Sequence, residues 1–302
     1  MKILVIIVTY NGMKWLERCL NSVVNSSIPL DAYIVDNGST DGSQEFIQAN
    51  YPQFTFYQSP TNSGFGAANN IGLEYAIEHG YDYVYLLNQD AWVMAETIET
   101  LINQHKKNPE FGIISPLQTN AEMTKLDRNF VYGSIAKTSI TSDFIFNNVK
   151  EIYEVEDVMA AHWLVSRECL IEVGGFSSTF QHYGEDNEYL MRAKYRGFKT
   201  AVVPSVVGVH DREFREETKS KSIYMLSILF LVIASNPNKS FAKSLFMAYA
   251  KSTVFAIYQS IIHKDLTVWL RCIIKVPPFI KIYRGRQIAK FDTTPFLKIN
   301  KQ

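Results

Sequence analysis

Two polar clusters far apart in the chain carry side chains suited to chemistry at a phosphate or a hydroxyl. The first is Asn88-Gln89-Asp90, reached where the apolar and aromatic run Tyr83 to Leu87 stops. The second is Glu185-Asp186, followed by Asn187 and Glu188. Adjacent carboxylates disfavour each other's ionisation, which can raise the pKa of one toward the range of a general base. Both clusters also have a plain structural reading. Asn and Asp form turns, Asp caps helices, and acids in a first turn stabilise the helix dipole. His210 ends the apolar run Val206 to Val209, where metal ligand, phosphate contact and structural side chain all remain open. Three loops of small residues complete the set: Thr9-Tyr10-Asn11-Gly12, Asp36 to Ser43, and Asn62 to Ala68 with Asn69 beyond. Asp36 or Asn37 can pair with a pyrimidine or ribose edge, and small residues let backbone N–H groups approach a diphosphate. Singly, such loops also read as tight βα turns. There is no GxGxxG and no GxxxxGK[ST], which disfavours dinucleotide and ATPase readings.

The elements that must position these residues follow from periodicity. Ile3–Val8, Ala32–Val35, Phe54–Tyr57, Tyr83–Leu87 and Ile113–Ile114 read as strands, separated by helical patterns near 13–25, 44–49, 65–78 and 95–107. Strands alternating with helices imply a doubly wound, mainly parallel α/β sheet. In such sheets ligands collect beyond the carboxyl ends of the strands, so the three loops and the polar triplet share one edge. Residues 122–150 loosen into mixed polar and aromatic sequence. Gly174-Gly175 predicts a close turn, and His162 is favoured as a core residue over a pocket lining. Glu185 to Arg196, ending at Gly197, reads as a helix. Thr200–Val203 and Val206–Val209 read as two short strands.

Composition bounds the class. A chain of 302 residues with 47% hydrophobic and 20% charged residues buries a large core. Thirty basic residues balance thirty acidic ones, so no global field draws the chain to nucleic acid. Cys19, Cys169 and Cys272 are scattered without CxxC spacing, which argues against a disulfide framework or structural zinc and for a reducing, cytoplasmic compartment. The opening MKILVIIVTYNG reads as a buried strand, not as a signal peptide. Beyond residue 218 the character changes. Ile223–Ala234 is apolar but too short to span a bilayer, Phe241–Ile262 reads as an amphipathic helix, and residues 264–302 hold nine Lys or Arg against two acids among aromatic residues. Contact of 223–302 with the inner face of a membrane is one expectation; helices packed on the preceding domain are the other.

Taken in order, Thr9-Tyr10-Asn11, Val35 to Ser43, Asn62 to Asn70, Leu87 to Asp90, Gly174-Gly175-Phe176, Gly184-Glu185-Asp186 and His210 resemble the inverting glycosyltransferases of family 2. The resemblance spans roughly residues 1 to 215. It implies a GT-A fold over 1–218, with a nucleotide-sugar half to about 118 and an acceptor half to 218, then a helical extension over 219–302. It implies that Thr9, Tyr10, Asn11, Asp36, Asn37, Ser39, Asn62, Gly64, Asn69, Asn88 and Gln89 hold a nucleotide-diphosphate sugar. It further implies Asp90 and His210 as ligands of a divalent cation, Mg²⁺ or Mn²⁺, and Asp186 beside Glu185 as the base. Asn88 departs from the Asp with which the family's triplet usually begins, so the site loses one anionic ligand, although an amide oxygen still coordinates. Rhamnosyl and galactofuranosyl transferases look similar here. That points to a dTDP- or UDP-sugar donor, dTDP-rhamnose first among them, and to a glycan or lipid-linked glycan acceptor in cell-surface polysaccharide synthesis. The competing expectations are an inactive nucleotide-binding module and a nucleotidyltransferase.

Overall fold

A computed structural model describes residues 1–212, 219–265, 267 and 279–299. The order is β1 (Ile3–Thr9), α1 (Met13–Val24), β2 (Asp31–Asp36), α2 (Ser43–Asn50), β3 (Thr55–Gln58), α3 (Phe65–Glu78), β4 (Tyr83–Asn88), β5 (Ala91–Val93), α4 (Thr97–Lys107) and β6 (Ile113–Thr119). Then come α5 (Arg128–Phe130), which runs into a π-helical turn (Val131–Ile135), α6 (Ile140–Ile145), β7 (Tyr153–Val155), β8 (His162–Ser166), α7 (Arg167–Val173), α8 (Glu185–Tyr195) and β9 (Thr200–His210). The extension holds α9 (Lys219–Ser235), α10 (Phe241–His263) and α11 (Phe279–Phe291).

The strands form one sheet, ordered β3-β2-β1-β4-β8-β6-β9-β5, with β7 paired to β9. Its centre is apolar on both faces because two cores cover it. Leu4 and Ile6 of β1 join Val84 and Leu86 of β4 in one; Ile3, Val5 and Ile7 join Tyr83, Tyr85 and Leu87 in the other. That alternation is why the sequence reads as continuous hydrophobic runs. β1 pairs in parallel with β2 on one side and β4 on the other. Since the chain winds outward in opposite directions from this point, a crevice opens at the carboxyl ends of β1 and β4.

The mainly parallel, doubly wound expectation holds for the central sheet, with β8 inserted antiparallel to both β4 and β6 and with β5 and β7 antiparallel to β9. The two strands expected over 200–209 are one, β9. Its register against β6 jumps from Pro116↔Val203 to Leu117↔Val207, so the residues around Pro204 bulge out of the ladder. Proline has no N–H to contribute there, which is why the sequence reads as a break. β5 and β7 are three residues each and escaped the sequence reading because pairing with β9, not local preference, forms them. The loose stretch 122–150 holds α5, the π turn and α6.

His162 is a core residue, as favoured. It is fully buried, with Nδ1 2.9 Å from Tyr85 Oη and Nε2 2.9 Å from Val209 O, and burial pushes its pKa down to about 3. Cys19 and Cys169 are buried free thiols. Trp269, Cys272 and the expected boundary at residue 218 lie outside the described residues.

The extension is docked, not loose. α9 packs on α8 and α10, and Arg286 of α11, 3% exposed, donates to Ala234 O at 3.1 Å and Lys239 O at 2.6 Å, clamping the α9–α10 turn. α10 departs from the expected amphipathic helix: Ser244, Ala248, Ala256, Gln259 and Ser260 are its buried residues, while bulky apolar side chains stand in solvent.

A buried ion pair fixes α8. Arg192, fully buried, donates from Nε and Nη2 to Glu188 at 3.1 and 2.9 Å, from Nη2 to Gly175 O at 2.7 Å, and from Nη1 to Val173 O. Glu188 is therefore a structural acid. Arg192→Ala strands its charge in the interior and is expected to cost about 3–5 kcal/mol. Chemical denaturation of the two proteins measures this.

Candidate active site

The first three loops meet at the crevice and are bound to each other. Gln89 Oε1 accepts from Thr9 Oγ1 and from Tyr10 N, both at 2.8 Å, which ties the end of β4 to the end of β1. A Cβ on Gly12 would strike this Gln89 oxygen, so only glycine fits. Asn11 N donates to Ser39 Oγ at 2.9 Å, Gly12 N to Ser43 Oγ at 3.2 Å and Met13 N to Asp41 Oδ2 at 3.1 Å. Asn37 accepts from Ser63 N at 2.9 Å and donates to Asn62 Oδ1 at 3.0 Å, locking the second loop to the third. Gly64 sits at φ +87° against Gln181, which brings the third loop onto the segment leading into α8.

Ser39, Ser43 and Asp41 thus engage the amides at the end of the first loop and the start of α1. Two side chains at the ends of β2 and β4 keep an unpartnered oxygen. Asp36 is fully buried; its Oδ1 accepts from Gly38 N, Ser39 N and Gln44 Nε2, whereas its Oδ2 has no partner. Asn88 Oδ1 is likewise buried and unpartnered. Asn69 does not join the group: it is 2% exposed and donates to Phe65 O within its own helix.

β5 brings the distant Asp90 and His210 together. Its antiparallel register sets Ala91 opposite His210, and Asp90 Oδ1 lies 3.5 Å from His210 Nε2. Burial acts to raise the pKa of Asp90, yet the hydrogen bond with His210 and the charges of His210 and Arg212 outweigh it and hold the carboxyl below its usual range. On the other side of the imidazole, Nδ1 faces Asp127 Oδ2 at 4.0 Å, and Arg212 Nε faces the same oxygen at 3.8 Å. Asp127 Oδ1 meanwhile caps α5 through Asn129 N and Phe130 N. Sequence reasoning missed Asp127, because a helix cap is the only signal it gives.

The second acidic cluster starts α8. Tyr183 and Gly184 both take positive φ, 65° and 85°, turning the chain sharply so that Glu185 and Asp186 enter the first helical turn. Burial, then the neighbouring Asp186, pushes Glu185 up to about 7; its Oε2 has no partner. Burial, then the charge of Asp157, pushes Asp186 up to about 6, although the carboxyl keeps some contact with solvent. Asp157 also escaped the sequence reading; it accepts from Asn187 Nδ2 at 2.9 Å. The charge of Arg212, whose Nε faces Asp127, lowers the proton affinity of both Asp90 and Asp186. Gly66 at the start of α3 closes the ring, since a Cβ there would come within 3.8 Å of Glu185 Cβ.

Residues 4–174 match the family model described as glycosyl transferase family 2. The chain is 25% identical over 231 residues to the N-acetylglucosaminyl-diphospho-decaprenol L-rhamnosyltransferase of Mycobacterium tuberculosis, covering 69% of this chain and 75% of that protein. Among solved structures it resembles S. aureus TarS 1-349 in complex with UDP-GlcNAc, with a TM-score of 0.63 at 16% identity, covering 96% of this chain and 84% of that one. A mannosyltransferase from Pyrobaculum calidifontis in complex with GDP-Man and Mn²⁺ has a TM-score of 0.58 at 15% identity, covering 96% and 86%. At such identities the likeness of structure speaks for the GT-A fold.

The raised pKa of Asp186 has a consequence for stability. Between its ordinary value of 3.8 and about 6 the folded chain binds more protons than the unfolded one, so this carboxyl's contribution falls as pH rises through that window. Asp186→Asn is expected to raise the thermal midpoint at pH 8 and to leave it nearly unchanged at pH 4. Thermal unfolding at the two pH values checks the sign.

Proposed function

The chain belongs to glycosyl transferase family 2, and from that premise we propose that it transfers a sugar, with inversion, from a nucleoside diphosphate to a hydroxyl of a glycan or lipid-linked glycan. The family match and the rhamnosyltransferase relative support a glycosyltransferase over the nucleotidyltransferase and inactive-module readings. The observation that carries the finer proposal is the opposite tuning of two carboxyls: His210 beside Asp90 holds it ionised, whereas burial and Asp157 leave Asp186 poised to take a proton. Pairs pushed apart in this way mark acid–base assignments.

In this reading Asp186 accepts the proton of the acceptor hydroxyl. The freed oxygen attacks the anomeric carbon as the bond to the diphosphate breaks on the opposite face, which inverts the centre. Glu185, pushed up to about 7, holds its proton below neutral pH and there offers the site a hydrogen-bond donor beside Asp186. Asp36 Oδ2 takes a donor group of the base or ribose, since a buried carboxylate oxygen without a partner costs about 1–3 kcal/mol until one arrives. The charge of Arg212 offsets negative charge on both Asp90 and Asp186.

The donor set fits a divalent cation. Asp90 Oδ1 and His210 Nε2 lie 3.5 Å apart, and among the described residues no cluster of three or more His, Cys, Asp and Glu forms a complete protein cage. Two protein ligands with the remaining positions left to phosphate and water is the pattern of nucleotide-bound Mg²⁺ or Mn²⁺. When bound, such an ion would neutralise charge developing on the leaving diphosphate.

The rhamnosyltransferase relative supports a rhamnosyl donor and an acceptor on a lipid diphosphate; dTDP as its carrier rests on the resemblance read from the sequence. The TarS neighbour, solved with UDP-GlcNAc, supports a UDP-sugar. Screening nucleotide sugars for hydrolysis and thermal stabilisation, with and without Mn²⁺, separates these donors. Asp186→Asn is expected to lower transfer by about 10²–10⁴-fold with nucleotide affinity retained, and the wild-type kcat/KM to rise with pH to a plateau above about 6. Wild-type turnover in the variant removes Asp186 from the role. Asp90→Ala is expected to abolish the Mn²⁺-dependent part of nucleotide binding by calorimetry; undiminished binding refutes the metal assignment.

A further inference from the structure

The overall neutrality of the chain conceals a segregation. Residues 219–302 carry fourteen Lys and Arg against two Asp, leaving sixteen basic against twenty-eight acidic residues in 1–218. The basic part is also where the apolar surface is.

α10 is packed inside out. Its buried positions are small or polar, Ser244, Ala248, Ala256, Gln259 and Ser260, and the helix runs chiefly along α9. Its outer side holds Phe246, Val254, Ile257, Tyr258 and Ile261, exposed by 55–73%. A helix surrounded by water puts bulky apolar residues inward. Helices in lipid do the reverse, joining through small residues and turning large ones outward. α11 continues the surface with exposed Phe279, Ile280 and Tyr283, interleaved with Lys281 and Arg284. Between Leu229 of α9 and Ala250, Val254, Phe255 and Tyr258 of α10 lies a cavity of about 510 Å³, apolar except for Lys251 at its edge.

α10 packs along α9 and is long and apolar enough, by length and composition, to cross a bilayer. Lys251 lies near its middle. α9, behind it, is fixed to the catalytic domain: Tyr224 Oη donates to His182 O at 2.7 Å, and Ile228 and Val232 press so closely on Gly184 that a Cβ there would come within 2.9 Å of both. The outer side of α10 is left exposed, with Phe279 of α11 beside its Tyr249, ring centroids 6.5 Å apart.

We propose that the outer faces of α10 and α11 are a docking surface for an anionic lipid bilayer, lying in the plane of the headgroup and acyl boundary. The apolar side chains enter the boundary and the basic ones meet the lipid charge. Because α9 bears on Gly184, immediately before Glu185 and Asp186, docking fixes the height of the α8 start above the lipid. The inference extends the reading of a lipid-carried acceptor, and it is scored without transfer, so that either can fail alone.

The test is flotation of the full chain with vesicles of phosphatidylcholine, alone or mixed with phosphatidylglycerol, at low and high salt. The wild type is expected to float with the anionic vesicles and to be released by salt. Val254→Asp, Ile257→Asp and Ile261→Asp together, all at exposed positions, are expected to lower the bound fraction about tenfold or more. Lys281→Ala with Arg284→Ala is expected to weaken mainly the salt-sensitive part. Both variants should keep the wild-type thermal midpoint and nucleotide-sugar hydrolysis. A wild type that does not float, or variants that float as well, overturns the proposal. So does a wild-type dimer that the three aspartates dissociate, which would make a second copy the occupant. Flotation without any nucleotide-sugar hydrolysis would instead overturn the transferase reading alone.

Discussion

Polar atoms at the end of an apolar strand must find partners or leave a cost of about 1–3 kcal/mol each. That constraint shapes the carboxyl edge of this sheet. Gln89 bonds Thr9 and Tyr10, Asn37 bonds Asn62 and Ser63, and Asp36 Oδ1 gathers three donors. The loops therefore owe their shape to one another. Within this satisfied network a few atoms stand without partners: Asp36 Oδ2, Asn88 Oδ1, Glu185 Oε2 and His210 Nδ1. Asp36 and Asn88 end β2 and β4 on either side of β1, where strand order reverses, so their unmet hydrogen-bonding capacity lies at the place the topology assigns to a ligand.

Much of this was legible in the sequence. Central strands covered on both faces read as unbroken apolar runs, and the loops that follow them are short enough that periodicity alone puts them on one edge. What local pattern does not encode was missed. β5 is three residues long and exists because β9 offers a ladder, yet it alone sets Asp90 opposite His210. Pro204 looks like the end of a strand, although the sheet absorbs it as a bulge. Asp127 gives the signal of an ordinary cap while its second oxygen faces His210. The composition of α10 was plain, but which side it turns inward depends on α9, and the buried choice of serine and alanine runs against the usual expectation.

Buried charge is handled in two ways within one helix. Glu188 and Arg192 neutralise each other completely and pin α8 to the Gly174-Gly175 turn. Three residues earlier, Glu185 lacks any cation and keeps its proton affinity high. A rigid structural acid thus supports a reactive pair, and the positive φ of Gly184 with its close approach to α9 sets where that pair points.

The first loop, with its amides engaged before any ligand arrives, has little freedom left to lose. A nucleotide entering the crevice meets a surface already in its final form, so association spends little entropy on ordering the backbone. In the proposed reading, selectivity for one base over another then rests on a few side chains about Asp36. Swapping those side chains would retune the choice of donor with the scaffold intact, which gives such a frame a route to diversify its chemistry one residue at a time.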